Sequence, residues 1–286
     1  MSAGKWLSAA VAFAGAAMGS FVDTERAAAP AMAGGYHVVA ADFHVHAFPG
    51  DGALPPWELA REASRRGLHA IVVSNHNQTL SARRTLPGWV FPVAGPLVIP
   101  AQEVTTPRFH LIAAGIRETI DWRLPEDAIV RAIHAQGGVI IAAHPVEQSW
   151  RGSDALLAAV DGIEVAHPLT GTLEAGRAEL DAFYARARRV NPDVAPIGSS
   201  DFHRVAPLGA CRTYVFAEAV TAEGVLDAIR AGRTVAEDQD GRFYGDPALV
   251  SLVNEAGIKG REGRPKLALA FALVVLMGFA GFMIDP

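Results

Sequence analysis

The stretch ADFHVHAFPGDG, residues 41–52, sets two histidines, His44 and His46, one residue apart at the end of a short apolar run, with Asp51 following on a turn that contains Gly and Pro. In a strand, residues i and i+2 point to the same face, so the two imidazoles would be aimed at one spot. Similar endings recur along the chain. His76 follows HAIVVSN (69–75), Glu103 ends PLVIPAQE (96–103), His144 ends GVIIAAH (138–144), and Asp201 and His203 follow VAPIGSS. Imidazole and carboxylate donors suit Zn, Mn and Fe, and harder oxygen donors tilt a site towards Mn or Fe. A structural tetrahedral site needs four ligands. These seven strand-end residues, with Asp51 and His110 on adjacent loops, suffice for two or three divalent metals sharing a carboxylate. Any one such histidine alone is more often a hydrogen-bonded core residue. It is their joint placement that argues for a metal centre.

The elements that must position them alternate from about residue 36 to 235. Apolar, β-branched runs predict strands at 37–43, 69–75, 96–103, 138–144, 162–167, 194–201 and 211–217. Amphipathic runs predict helices at 56–67, 124–138, 153–160, 172–189 and 222–231, several closed by glycine. Such alternation means parallel βαβ units in an α/β fold. Closed into a barrel, parallel strands bring their C-terminal ends to one rim, where active sites are built. The polar, Gly-rich stretch 236–266 reads as a linker.

The chain of 286 residues carries a formal net charge of -5, which gives no electrostatic case for a nucleic-acid partner. Its single cysteine, Cys211, excludes an internal disulfide. The hydrophobic excess sits at the two ends. Residues 1–34 read as a cleaved secretory signal or an uncleaved membrane anchor with its linker, since Lys5 precedes an uncharged run at 6–22 and small-residue triplets follow. Residues 267–284 form an uncharged run of transmembrane length. Arg261, Arg264 and Lys266 precede it and favour the cytoplasm, against the N-terminal signal. Large domains translocate largely regardless of charge, so the expectation is a membrane-anchored domain at 35–235 on the extracytoplasmic side. Oligomeric state is left open.

His44, Val45 and His46 with Asp51, SNHN with His76, AQE with Glu103, AHP with His144 and SSDFH with Asp201 and His203 resemble the ordered motifs of the PHP (polymerase and histidinol phosphatase) family. The stretch EVTT…FHLIAAG further resembles its CehA/McbA-like metallohydrolase branch. The resemblance covers roughly residues 38–235 and implies a distorted seven-stranded (β/α) barrel. It implies His44, His46, Glu103 and Asp201 as ligands of one metal, Glu103, His110 and His144 of a second, and Asp51, His76 and His203 of a third. One departure is visible: the family commonly has Asp-His in the second motif, where Asn75 precedes His76 here.

Other polar residues have blander readings. His37 and His69 stand at the wrong strand ends and read as structural, and His134 as solvent-facing on a helix. Glu164, mid-strand, is expected to pair with a neighbouring polar group, and Ser199 and Ser200 to lie around the ligands. His167, Arg151 and Arg204 are candidates for touching substrate, with Arg108 a weaker one, because guanidinium forks suit phosphate. The leading expectation is a phosphoesterase acting on a small-molecule phosphoester. A hydroxide bridging two metals would attack phosphorus, Glu103 would bridge the metals, Asp201 would orient or deprotonate the nucleophile, and Arg204 would stabilise developing charge. A carbamate or amide hydrolase is the alternative, and a membrane-tethered metal-binding module without turnover is the third.

Overall fold

The computed structural model describes residues 2–22, 28–79, 95–168, 174–204 and 206–257, with 274–277, 280 and 283 near the end of the chain. These fall into two units, residues 1–26 with 261–286, and residues 27–260. The first unit holds helix α1 (Ala3–Val22). Here the expected membrane anchoring is corrected: among the described residues, no helix is long and apolar enough to cross a membrane. The expected span at 267–284 lies outside the described residues apart from those six.

In the second unit the elements run β1 (Ala31–Ala33), β2 (Tyr36–Val45), α2 (Pro56–Arg65), β3 (Ala70–Val73), β4 (Leu97–Thr105) and β5 (His110–Ala114), then α3 (Glu126–His134), β6 (Val139–Ala142), α4 (Asp154–Ala159), β7 (Gly162–Ala166) and α5 (Glu174–Val190), and finally β8 (Ala195–Gly198), β9 (Arg212–Ala217), α6 (Ala222–Arg230), β10 (Thr234–Glu237), β11 (Phe243–Gly245) and α7 (Pro247–Glu255). They build one sheet in the order β11-β10-β9-β2-β3-β4-β5-β6-β7-β8, with β1 added to β2. Strands such as β3 (AIVV) and β6 (VIIA) are buried along their whole length, as expected where both faces are covered. Three helix starts carry side-chain caps: Ser153 of α4 accepts from Leu156 N, Thr221 of α6 from Gly224 N, and Asp246 of α7 from Ala248 N ahead of Pro247.

The expectation of parallel units throughout holds only in part. The pairs β2–β3, β3–β4, β6–β7 and β7–β8 are parallel, whereas β5 runs antiparallel to both β4 and β6, and β9 antiparallel to β2 and β10. Residues 106–109 are too few for a parallel crossover, which needs a dozen or more. The chain therefore turns straight back. The stretch expected as a linker is also corrected: β11 and α7 fold within it, and α7 buries Val253. At the other end, β1 forms inside the expected leader and pairs Ala31 with Val38.

Two apolar layers result. Val39, Ala41 and Phe43 of β2, Val72 of β3, Ile99 of β4, Ile112 of β5, Ile141 of β6, Ile197 of β8 and Val215 of β9 fill the lumen with Val225 and Ile229 of α6. Val38, Ala40, Val45 and Ala47 pack outside with Leu59 of α2. Odd positions of β2 thus face the lumen up to Phe43, and odd positions face outwards from Val45. The register shift between Asp42 and Val45 causes the exchange, since a bulge re-aims the residues beyond it. It turns His44 and His46 inwards.

The β8 end of the sheet path closes onto β9 and β10, with no backbone ladder between them among the described residues. Thr213 Oγ1 accepts from Gly198 N and donates to Gly198 O, both at 2.9 Å, and Thr234 Oγ1 donates to Pro196 O at 2.9 Å. An added Cβ on Gly198 would stand 2.5 Å from Arg212 O, so this approach requires glycine. Thr213→Val keeps the shape and strands both polar groups of Gly198 in a buried seam. Unfolding free energy measured in guanidinium is expected to fall by about 2–4 kcal/mol, with Thr213→Ser losing less. An unchanged midpoint in the valine variant would show that the seam does not depend on the hydroxyl.

Candidate metal centre

Each polar strand end is held by its own backbone device. His46 N donates to Phe202 O at 2.9 Å and Phe202 N to His44 O at 3.2 Å, tying the end of β2 to the loop after β8. His76 pairs with Glu103 across an isolated parallel bridge. His110 opens β5 opposite Thr105, so an antiparallel strand begins at the rim where β4 ends. His144 and Asp201 take positive φ, 31° and 48°, immediately beyond β6 and β8. Such backbone is tolerated by His and Asp better than by most residues and recurs at functional sites. Asp51 sits on a loop clamped by Asn75, whose Oδ1 accepts from Ala47 N at 2.8 Å and whose Nδ2 donates to Ala47 O at 2.8 Å and Pro49 O at 3.3 Å. A Cβ at Gly50 would stand 2.1 Å from that Nδ2.

The side chains meet around Glu103, which is fully buried. Its Oε1 lies 2.8 Å from His110 Nδ1 and 3.4 Å from His144 Nε2. Its Oε2 lies 2.6 Å from His76 Nδ1 and 3.4 Å from Nε2 of both His44 and His46. Asp201 Oδ1 is 3.1 Å from His44 Nε2 and 3.3 Å from His46 Nε2. Asp51 Oδ1 is 3.0 Å from His46 Nδ1, and its Oδ2 is 3.1 Å from His203 Nε2 and 3.3 Å from His76 Nε2. Three groupings have ligand atoms close enough to share an ion: His46, Asp51, His76 and His203; His44, Glu103 and His144; and His44, His46 and Asp201.

This donor set fits cations. His44 Nδ1 pairs with Glu164 Oε1 at 3.0 Å, which leaves Nε2 facing the cluster, 3.0 Å from His46 Nε2. Glu103 Oε2 and Asp201 Oδ1 are buried and hold no hydrogen bond, although imidazole nitrogens stand beside both. Converging lone pairs of this kind repel unless positive charge lies between them. Burial works against the charged form of His44, yet Asp201, Glu164 and Glu103 outweigh it and hold its pKa well above the usual range. Burial likewise opposes ionisation of Glu103 and Asp201, and the imidazoles, His44 foremost, still hold both well below the carboxylate range. A field that keeps protons on imidazoles also attracts divalent cations.

All nine residues expected as ligands are brought together at this rim. The groupings differ in detail from those implied by the resemblance: His46 adds to Asp51, His76 and His203, and His110 meets Glu103 but stands outside the three clusters. His167 is buried with Nε2 3.3 Å from Asp201 Oδ2. Arg151 and Arg204 are exposed, and neither guanidinium has a hydrogen bond or ion pair among the described residues. Arg108 is engaged elsewhere, with Glu126 at 3.2 Å and Arg151 O at 2.8 Å. His69 Nδ1 accepts from Ala40 N at 3.0 Å and is structural. Asp42 went unnoticed in the sequence, where its only signal is a lone acid in an apolar strand. It is wholly buried and accepts from His44 N, Ser200 N, Ser200 Oγ and Gly209 N, joining β2 to the loop that carries Asp201.

A family model described as PHP-associated matches residues 186–234. Among solved structures, the chain is similar to a two-domain protein from Bacteroides vulgatus containing a predicted PHP-like metal-dependent phosphoesterase, at 23% identity and a TM-score of 0.63, covering 82% of this chain and 75% of that one. PsfC from Pseudomonas syringae gives 16% identity and a TM-score of 0.49 over 77% of this chain and 96% of that one. A candidate metal-dependent phosphoesterase from Bifidobacterium adolescentis gives 19%, 0.44, 59% and 90% in the same measures. The first likeness shows a shared fold, and the other two are too distant to add to it. A comparison with curated proteins finds no match.

Two outcomes follow from the geometry. The metal-free protein is expected to take up two or three equivalents of Mn, Fe or Zn, the groupings sharing His44 and His46; elemental analysis finding one or none after reconstitution would count against the site. Asn75→Asp replaces the amide donor by an oxygen facing Ala47 O and Pro49 O. The Asp51 loop should loosen and one equivalent of metal be lost, while a variant with full metal content would show that the clamp is dispensable.

Proposed function

We propose that this chain is a metal-dependent phosphoesterase of the PHP family, with residues 31–255 as its catalytic unit and a small-molecule phosphoester as substrate. The observation that carries the reading is the pair of buried, unbonded carboxylate oxygens, Glu103 Oε2 and Asp201 Oδ1, facing imidazole nitrogens at a barrel rim. The PHP-associated match at 186–234 and the fold shared at a TM-score of 0.63 support it, since the matched region includes Asp201 and His203.

His44, His46, Asp51, His76, Glu103, His110, His144, Asp201 and His203 would hold two or three ions. When bound, divalent metals supply Lewis acidity and a water activated at neutral pH. Glu103 directs Oε1 to the His110 and His144 side and Oε2 to the His44 and His46 side, so its two oxygens would serve two sets of imidazoles. Asp201, with its pKa held low by neighbouring imidazoles against the pull of burial, is an orienting acceptor at the cluster rather than a store for protons. His167 Nε2, 3.3 Å from Asp201 Oδ2, is the next group to which a proton can pass. Arg204 and Arg151 are exposed and have no guanidinium partner among the described residues, and their forks would suit the non-bridging oxygens of a phosphate.

Steady-state kinetics on a phosphoester and a neutral carbamate, with metal content measured in parallel, tests the reading. Arg204→Ala is expected to cost about 10²–10³-fold on phosphate and little on the carbamate, the usual cost of one charge-stabilising donor. Glu103→Gln should cost more on both substrates, because an amide cannot serve two cation sites through two anionic oxygens. Near-normal turnover and full metal in Glu103→Gln would refute the shared-carboxylate assignment. Faster turnover of the carbamate by the unaltered protein would move the reaction to carbon.

A further inference from the structure

We infer that Glu164 is the positioning residue of the centre: one buried carboxylate that sets the ring of His44 and the backbone of His144 together. This rests on the metal reading given above. Glu164 is fully buried in β7, whose neighbours in the sheet are β6 and β8. The surrounding Ile163 and Val165 pack into the outer apolar layer, which leaves Glu164 alone to face inwards. Oε1 accepts from His44 Nδ1 at 3.0 Å and from Ser199 Oγ. Oε2 accepts from the backbone N of His144 at 2.6 Å. His144 is a residue with positive φ, so this bond restrains strained backbone at a candidate ligand.

Each bond has a distinct consequence. An acceptor at Nδ1 keeps the His44 proton on that nitrogen, so Nε2 presents its lone pair to the cluster; carboxylate–histidine pairs act on metals in this way. The bond to His144 N fixes the direction in which that side chain leaves β6. Among the described residues no lysine or arginine pairs with Glu164, and histidines and two hydrogen-bond donors offset the loss of its hydration. A carboxylate kept here for packing alone would be a poor choice, because an uncharged side chain of the same size avoids that loss.

An amide in its place cannot accept at both ends. With its oxygen towards His44, Glu164→Gln turns an NH₂ against His144 N–H; reversed, it donates to His44 Nδ1 and moves that proton to Nε2. The test uses full-length protein, freed of metal and titrated with Co²⁺ while the visible ligand-field spectrum is followed, alongside thermal unfolding of the metal-free form. Expected are a 10–100-fold loss of Co²⁺ affinity and an altered spectrum, whether or not metal-free unfolding also falls through the mispaired amide. A packing role alone predicts lowered metal-free unfolding with wild-type affinity and spectrum, which would overturn the inference. If Glu164→Gln does not fold, Ser199→Ala removes one donor to the same Oε1 and should lower affinity roughly three- to tenfold, one hydrogen bond's worth; unchanged affinity overturns the inference there too. Wild-type protein that takes up no Co²⁺ overturns the metal reading itself, whereas wild-type uptake with an indifferent Glu164→Gln overturns only the positioning role.

Discussion

Glu103 is an ionised carboxylate with no exposure, and the groups around its two oxygens are imidazoles rather than lysines or arginines. Removing a carboxylate from water costs several kcal/mol in a real protein, and hydrogen bonds and opposite charge must offset it. Protons on the imidazoles offset part of the cost, which is why the pKa of His44 is driven up and that of Glu103 down even though burial opposes both shifts. Divalent cations would offset it more fully. The rest of the barrel end can be understood as the means of holding these like-natured donors together before any cation arrives.

That holding is done by backbone and by a second ring of polar groups. The bulge in β2 turns His44 and His46 inwards, and positive φ at His144 and Asp201 swings both side chains over the rim. Asp42, Asn75 and Glu164 each fasten two segments: β2 to the loop after β8, the Asp51 loop to the end of β3, and β6 to both β7 and His44. All three are buried, and each has its acceptors occupied by named donors. The strained backbone at His144 and Asp201 and the buried carboxylates lie at the same end of the sheet, while Val225 and Ile229 of α6 pack into an apolar part of the lumen.

Much of this was legible in the sequence because it depends on short-range pattern. Apolar, β-branched runs ending in His, Asp or Glu marked the strands and the rim, and the i, i+2 rule already put His44 and His46 on one face. The rule does not say which face. A bulge is a one-residue change of register, and nothing in the letters of DFHV marks it. Strand β5 itself is absent from the predicted elements: FHLIAA is a short apolar run close behind Glu103, and only the short connection from Thr105 forces it to turn back as an antiparallel strand. The stretch 236–266 is polar enough to pass for a linker, yet Phe243 and Val253 pack β11 and α7 into place. The helix at 3–22 shows a further limit, since an uncharged run predicts partition only through its length and apolarity together.

The depth of the donors also orders the site. His44, His46 and Glu103 are sealed at 0% side-chain exposure, while Asp51 and His76 stand near 40% and His203 at 31%. Solvent therefore reaches the Asp51, His76 and His203 side, and Arg204, next to His203 in the chain, is exposed. Any molecule entering from solvent meets Asp51, His76 and His203 before it meets the sealed His44, His46 and Glu103. The buried donors then need no freedom to move, which suits the dense bonding of Asp42 and Glu164 beneath them, and the exposed ones need some, which suits their placement on loops. Stability and access are in this way assigned to opposite sides of a single carboxylate, Glu103.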